Sequence, residues 1–345
     1  MTAAVVVGVG ASLPQRVVTN AELAGYLDTS DEWIRSRTGI GARRWVDPGV
    51  STGDLATRAG ELALRSAGVG RVDAVVVATT TPDRLCPATA PEVATRLGLT
   101  GISAHDVNAV CTGFLYGLSS AVGLIAAGNA ESVLMIGAET FSTIIDPKDR
   151  GTAVIFADGA GALVLRAGAP DEPGAVGPLV LGSDGGLADL IQIPAGGSRQ
   201  RSSGAAAEPE DYYFRMRGRE VYRHAVERMA SSAMQALGRA GLTMSDIDKF
   251  VPHQANARIS AAVGERLGLQ ERQTVSNVEC VGNTAAASIG ILLAEATAAG
   301  GIRAGQRLLL TAFGGGLTWG ATTLVWPEVT AHIAAPPRAA IAAAS

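Results

Sequence analysis

Apolar positions along this chain follow a pattern that occurs twice. In the first half, the helix-periodic ELALRSAG (61–68) gives way to the strand-like VDAVVVATTT (72–81) and then to VATRLGL (93–99). In the second half, AMQALGRAG (233–241) is followed by IDKFVPHQAN (247–256) and then by VGERLGL (263–269). Each series reads as a helix, a buried strand, a polar loop and another helix. A further matched pair follows. NAVCTGFLYGLSSAVGLIAAG (108–128) leads into the strand VLMIGAE (133–139), and NVECVGNTAAASIGILLAEATAAG (277–300) leads into RLLLTAFGGG (307–316). The offset stays between 170 and 175 residues throughout, a register that chance does not hold.

Two similar α/β halves with near-continuous apolar strands predict mostly parallel sheets covered by helices. The expected division is an N-terminal half at 1–170, a C-terminal half at 171–327 and an Ala/Pro-rich tail at 328–345. The tail is expected to be a poorly ordered extension. The polar, small-residue stretch at 199–211 reads as a loop between the halves.

Composition narrows the class. The 345 residues are 47% hydrophobic and 17% charged, enough apolar material for a large core and too little charge for a disordered chain. With 28 Lys plus Arg against 32 Asp plus Glu, the formal balance is -4. That argues against a general nucleic-acid binder. Three cysteines, an odd number, do not suggest a disulfide scaffold. The N-terminus lacks the basic start and small-residue cleavage site of a secretory signal. The uncharged stretch 107–130 holds Asn108, Ser119, Ser120 and four glycines, with nothing basic flanking it. A helix buried in a large protein suits that composition better than a membrane span. The expectation is a soluble cytoplasmic protein with no membrane or nucleic-acid partner.

Loops leaving the C-terminal ends of parallel strands are where α/β sheets bind ligands. Here those loops hold Cys111, His253, the Gly-Asn of 282–283 and the glycines of 314–316. Cys111 opens the long uncharged helix, where unpaired N–H groups and the macrodipole favour thiolate by about 1 kcal/mol. A neighbouring imidazole would be needed to make the thiolate abundant. Cys86 and Cys280 read as ordinary small hydrophobes. Asn283 sits at about the place in the second half that Cys111 holds in the first, and its plain reading is a cap or turn residue. Together, a thiol, an imidazole and an amide at equivalent strand ends make a nucleophile with two polar partners.

The run AFGGGLTWG (312–320) lacks a Walker lysine and suits an oxyanion hole better than a phosphate cradle. VVVGVG (5–10) lacks the third glycine and acidic follow-up of a dinucleotide fingerprint, so a dehydrogenase is the weakest option. No CxxC, HExxH or EF-hand spacing appears, and no metal is expected. Arg215, Arg217, Arg219, Arg223 and Arg228 against Glu220 and Glu227 give a local +3. That is either a docking patch for an acidic partner or a solvated helix face.

The chain resembles the β-ketoacyl-acyl-carrier-protein synthase III family of the thiolase superfamily from about residue 3 to residue 327. The matching motifs are TSDEWIRSRTGI (29–40), NAVCTGF (108–114), DRGTAVIFADGAGA (149–162), VPHQANARI (251–259), GNTAAAS (282–288) and AFGGGLTWGA (312–321). The resemblance implies a five-layered αβαβα fold, a homodimer, and an acyltransferase with no tightly bound cofactor that takes a coenzyme A thioester as substrate. It implies that Cys111 accepts the acyl group, with the backbone N–H groups of Cys111 and Gly315 as oxyanion hole. His253 and Asn283 would assist decarboxylation of malonyl-acyl carrier protein in a Claisen condensation that starts a fatty-acid or polyketide chain. It further implies CoA contacts at Trp33, Arg37, Arg150, Gly151 and Asn256, and carrier-protein docking at Arg223, Arg258 and Arg266.

Cys86 falls where some members with narrow primer pockets carry a bulky aromatic that reaches into the partner subunit. A smaller side chain there leaves room for a longer or branched primer. The loop at 195–213 and the tail exceed the housekeeping length, which brings in priming or tailoring ketosynthases of secondary metabolism. Two alternatives stand beside condensation: transfer of the acyl group to an oxygen or nitrogen acceptor, and a non-catalytic acyl-binding partner subunit. The order Cys, His, Asn also occurs in papain-like hydrolases, against which the repeat and the CoA-site motifs argue.

Overall fold

Strand Ala74–Ala78 (AVVVA) is buried at every position, as a strand must be when both faces of its sheet are covered. In the computed structural model, which describes residues 2–334, it lies inside a six-stranded sheet. The order is His332–Ala334, Ala3–Ser12, Asp158–Gly168, Ser132–Thr140, Ala74–Ala78, Ser103–Val107. Five of these strands point one way and Asp158–Gly168 the other. A four-stranded sheet follows the order Lys249–Pro252, Arg307–Gly314, Thr318–Val325, Val180–Ser183, with Thr318–Val325 reversed. Each sheet is thus mostly parallel by direction.

Alternate side chains sort the strands into layers. Val75, Val77, Leu134 and Ile136 pack beneath helices Thr52–Ala67 and Ala90–Arg96. Val76, Met135, Leu163 and Leu165 face the opposite way, into a core shared with helices Gly113–Ala126 and Ser288–Ala298 and with Leu308 and Leu310 of the second sheet. Leu309 and Phe250 face a third core beneath helices Gly218–Ala240 and Ala257–Arg266. The result is five layers, helix–sheet–helix–sheet–helix. Gly137 and Gly161 allow the two halves to meet. A Cβ on Gly161 would collide with the backbone of Gly290 and Ile291, and one on Gly137 with the Ala286 carbonyl.

Helix Thr52–Ala67 starts at a capping box between Ser51 and Asp54 and stops at Gly68, which has φ 67. Its close seat explains the glycines of 5–10. A Cβ on Gly8 would lie 2.5 Å from the Ala63 carbonyl oxygen, and one on Gly10 would strike the Ala63 amide. These glycines admit a helix.

Two expectations change. The stretch 199–211 does not divide the halves, because Val180–Ser183 already belongs to the second sheet. It also has local structure: helix Ser198–Ser203 and a 3-10 turn at Pro209–Tyr212. Gln200 Nε2 donating to the Ala205 carbonyl and a Glu208–Asp211 box hold them. The tail expected from 328 instead begins with a strand, His332–Ala334, paired parallel to Gly10–Ser12. Backbone pairing to an open sheet edge overrides its Ala/Pro composition. Residues 335–345 lie outside the described residues. Among the described residues, no helix is long and apolar enough to cross a membrane.

Candidate active site

The site is built on a turn that occurs twice. After strand Ser103–Val107 come Asn108, Ala109 and Val110, the last at φ 48. Cys111 then lies in the single turn Val110–Thr112 that enters helix Gly113–Ala126. In the second half, Asn283 and Thr284 precede Ala285 at φ 43, then the turn Ala285–Ala287 and helix Ser288–Ala298. Each asparagine braces its turn from within. Asn108 Oδ1 accepts from the Val110 N–H at 3.3 Å, and Asn283 Oδ1 from the Ala285 N–H at 2.9 Å. The register is 175 residues at both asparagines and both positive-φ positions. Asn283 is therefore the counterpart of Asn108, and Cys111 the counterpart of Ala286. Left-handed φ at a non-glycine residue costs about 1–3 kcal/mol, so the surrounding packing must hold each turn.

A cavity of about 600 Å³ opens onto these turns and is lined by Cys111, His253 and Asn283 together. All three are buried. Asn283 is held by backbone bonds, its N–H donating to Ile155 and its carbonyl accepting from Ala157. With Oδ1 committed to Ala285, its Nδ2 is the atom left for a ligand. His253 follows strand Lys249–Pro252, and its Nδ1 lies 2.6 Å from Ser288 Oγ. Its Nε2 is buried without a partner. Burial pushes the imidazole down to about 3, so it is neutral.

The thiol departs from the expectation. Burial pushes Cys111 well above the ordinary thiol range, the nearby Glu139 adds to the rise, and the residue's own N–H only partly opposes both. The dipole's contribution of about 1 kcal/mol is the smaller effect. His253 Nε2 lacks any partner, so no thiolate–imidazolium pair forms at rest. Glu139 is fully buried, and burial raises it to about 7 against bonds from Thr81 Oγ1 (2.8 Å) and the Thr80 N–H (3.1 Å).

The glycine run packs onto the turn that carries Cys111. A Cβ at Gly314 would sit 2.8 Å from the Cys111 and Thr112 amide nitrogens. Gly315 is buried beside Ile191 and Val110. On one side the wall is aromatic: Phe141 stacks on Phe156 at 4.3 Å, and Phe214 meets them edge-on at 4.9 and 5.0 Å. Phe156 and Phe214 line the cavity.

Trp33, Arg37, Gly151, Asn256 and Arg258 line the same cavity. Arg150 reaches it indirectly, its guanidinium 4.7 Å from the Trp33 ring centre, while Arg37 stands at 5.9 Å. Asn256 caps helix Ala257–Arg266, accepting from the Ile259 N–H, which leaves Nδ2 available. Arg223 and Arg266 are exposed on the two outer helices, outside the lining. Cys86 is also exposed and outside it, so within one chain it forms no part of the pocket. Sequence reasoning passed over Glu139, Ser288 and Phe214, and counted Arg219 only within the Arg patch, whereas Arg219 lines the cavity. Only Ser288 lay inside a motif already singled out.

The family model "3-Oxoacyl-[acyl-carrier-protein (ACP)] synthase III C terminal" matches residues 237–326, and "3-Oxoacyl-[acyl-carrier-protein (ACP)] synthase III" matches 105–185. Beta-ketoacyl-[acyl-carrier-protein] synthase III 5 of Streptomyces coelicolor is 58% identical over 95% of this chain and 99% of its own. The crystal structure of 3-oxoacyl-(acyl carrier protein) synthase III from Pseudomonas aeruginosa PAO1 superposes with TM-score 0.90 at 51% identity, covering 95% and 99% of the two chains. The priming β-ketosynthase of the R1128 polyketide pathway superposes with TM-score 0.87 at 35% identity, covering 94% and 96%. The chain belongs to the β-ketoacyl-acyl-carrier-protein synthase III family of the thiolase superfamily and is a ketosynthase-type acyltransferase.

Proposed function

We propose that the protein condenses an acyl-CoA primer with malonyl-acyl carrier protein to start a fatty-acid or polyketide chain. The observation that carries this reading is a cavity lined by Cys111, by His253 with its unpartnered Nε2, and by Asn283 with its uncommitted Nδ2. In the first half-reaction, Cys111 Sγ attacks the thioester carbonyl. The tetrahedral oxyanion takes hydrogen bonds from the Cys111 and Gly315 N–H groups. The carbon–sulfur bond to CoA breaks, and the CoA thiol leaves with the proton of Cys111. Trp33 offers a face for the adenine, flanked by Arg37 and Arg150 for phosphate oxygens. Gly151 and Asn256 border the pantetheine path.

In the second half-reaction, malonyl-acyl carrier protein presents its thioester oxygen to His253 and Asn283. CO2 departs, and the electron pair left behind becomes an enolate whose oxygen both N–H groups stabilise. The enolate carbon attacks the acyl carbonyl, a carbon–carbon bond forms, and Cys111 leaves as thiolate to recover a proton. A neutral His253 suits this role, because an imidazole at about 3 donates without carrying charge. Two donors aimed at one oxygen favour condensation over transfer to an oxygen or nitrogen acceptor. Arg223, Arg258 and Arg266 would dock the acidic carrier protein near the mouth, with Arg219 beside them. A homodimer fits the 79% exposed Leu85, next to Cys86, and the open edge of strand Ser103–Val107. In that dimer Cys86 would face the partner's primer pocket. Light scattering at the monomer mass would remove that element.

Single-turnover kinetics with pre-acylated enzyme tests the division of labour. His253→Ala and Asn283→Ala should each slow condensation by about 10²–10³ while acylation by acyl-CoA keeps its rate. Equal loss of both half-reactions would contradict it.

A further inference from the structure

His253 has one ring nitrogen engaged and one free, and its neighbours decide which carries the hydrogen. Nδ1 lies 2.6 Å from Ser288 Oγ. Ser288 is 2% exposed and is the first residue of helix Ser288–Ala298. Its oxygen already receives a hydrogen bond from the Gln254 N–H at 3.4 Å. A hydroxyl has one hydrogen to give. The oxygen's second lone pair could take another donor, but among the described residues the hydroxyl hydrogen has no acceptor other than Nδ1, so that hydrogen goes to Nδ1. Nδ1 is then the acceptor, and the ring hydrogen sits on Nε2, the buried atom without a partner on a residue that lines the cavity.

The frame around this pair is rigid. The His253 N–H donates to the Thr311 carbonyl at 2.8 Å. Gln254 is fully buried, and its Nε2 donates to Pro252 at 2.9 Å. Its Oε1 accepts from Ser276 Oγ (2.8 Å) and the Asn277 N–H (3.1 Å). Gln254 thus has no freedom to turn its N–H away from Ser288.

We propose that Ser288 is a positioning residue that locks His253 in the Nε2–H tautomer, so that the neutral ring presents a donor to the thioester and enolate oxygen. The use made of that donor rests on the condensation reading above; the tautomer itself does not. Without the hydroxyl, Nδ1 loses its only donor and the buried ring can hold its hydrogen on either nitrogen.

Nitrogen-15 NMR of the full chain labelled at histidine separates protonated from unprotonated ring nitrogens. Four histidines are present, and His253→Ala identifies the signals of interest. The wild type should show hydrogen on Nε2, Ser288→Ala a mixture or the opposite tautomer, and Ser288→Thr the wild-type pattern. Condensation by pre-acylated enzyme should fall about ten- to a hundredfold in Ser288→Ala, the range seen when a histidine loses an outer orienting partner, with Cys111 acylation unchanged. If Ser288→Ala does not fold, Ser288→Cys, a weaker donor, makes the same comparison. Hydrogen on Nδ1 in the wild type would overturn the proposal. So would Ser288→Ala that keeps both the tautomer and the condensation rate. Should the wild type not condense at all, the function reading falls while the nitrogen signals still decide this one.

Discussion

At the scale of the residue, Cys111 sits between opposing fields. The helix start favours thiolate by about 1 kcal/mol, and burial favours the neutral thiol by more. The resting enzyme therefore holds a thiol, and the incoming thioester meets it protonated. Alkylation by iodoacetamide should be slower than for a free cysteine at neutral pH, with its rate still climbing above the ordinary thiol range near pH 8.5. A plateau near pH 7 would show a preformed thiolate. Glu139 gives a second prediction. Its folded value, about 7, lies above the model-peptide 4.5, so the fold binds this proton more tightly than the unfolded chain. That stabilisation is complete below about pH 4.5 and is lost as pH rises through about 7. Glu139→Gln has no such loss, so the difference in melting temperature should move in favour of the variant across that window. His253 titrates in the opposite sense over an overlapping range but is common to both proteins and cancels. A pH-independent difference would place the charge elsewhere. Cys111, His253 and Asn283 were legible because each is a reactive type at a strand end inside a distinctive motif. Glu139 was not, since nothing local in VLMIGAE tells a buried carboxyl from a surface one. Thr79, Thr80 and Thr81, in the loop after strand Ala74–Ala78, reveal it.

At the scale of the element, the repeated turn is the device that places the site. An asparagine braces a left-handed residue, and a single 3-10 turn leads from it into the helix. One copy carries the thiol and the other its amide partner. The repeat in sequence foresaw that equivalence but misaligned it, pairing Asn283 with Cys111. Positive φ at Val110 and Ala285, neither a glycine, leaves no mark on composition. The stretch 199–211 was misplaced for a related reason, since polar residues predict exposure but not which sheet the chain has already joined. Where the halves touch, the glycines carry the prediction. Gly161→Ala would bring a Cβ to 2.6 Å from Gly290 Cα, backbone against backbone, where no side chain can swing aside. Overpacking of this kind costs about 1–3 kcal/mol or more, so thermal unfolding should fall by several degrees. Gly70→Ala, an exposed control with open space around its Cβ and no left-handed φ, should lose less. Equal losses would mean that the halves are not held at this close contact.

At the scale of the whole molecule, the two halves line one cavity between them. The first brings Cys111 and Trp33; the second brings His253, Asn283 and Gly314. Fold class was legible because near-continuous apolar strands with matched helices admit few arrangements, whereas the five layers followed from the family resemblance alone. The reversed strands Asp158–Gly168 and Thr318–Val325 were not, because direction within a buried strand has no signature in residue type. Phe156 and Phe214 give that cavity an aromatic side, with Phe141 packed against both rings. The central claim is that Cys111 takes an acyl group from a CoA thioester. Intact and peptide mass spectra after incubation with a panel of acyl-CoAs, before any carrier protein is added, test it most directly. The account predicts one acyl adduct per chain on the Cys111 peptide, absent in Cys111→Ala, with the preferred chain naming the primer. No adduct from any acyl-CoA, or an adduct that survives Cys111→Ala, would contradict it.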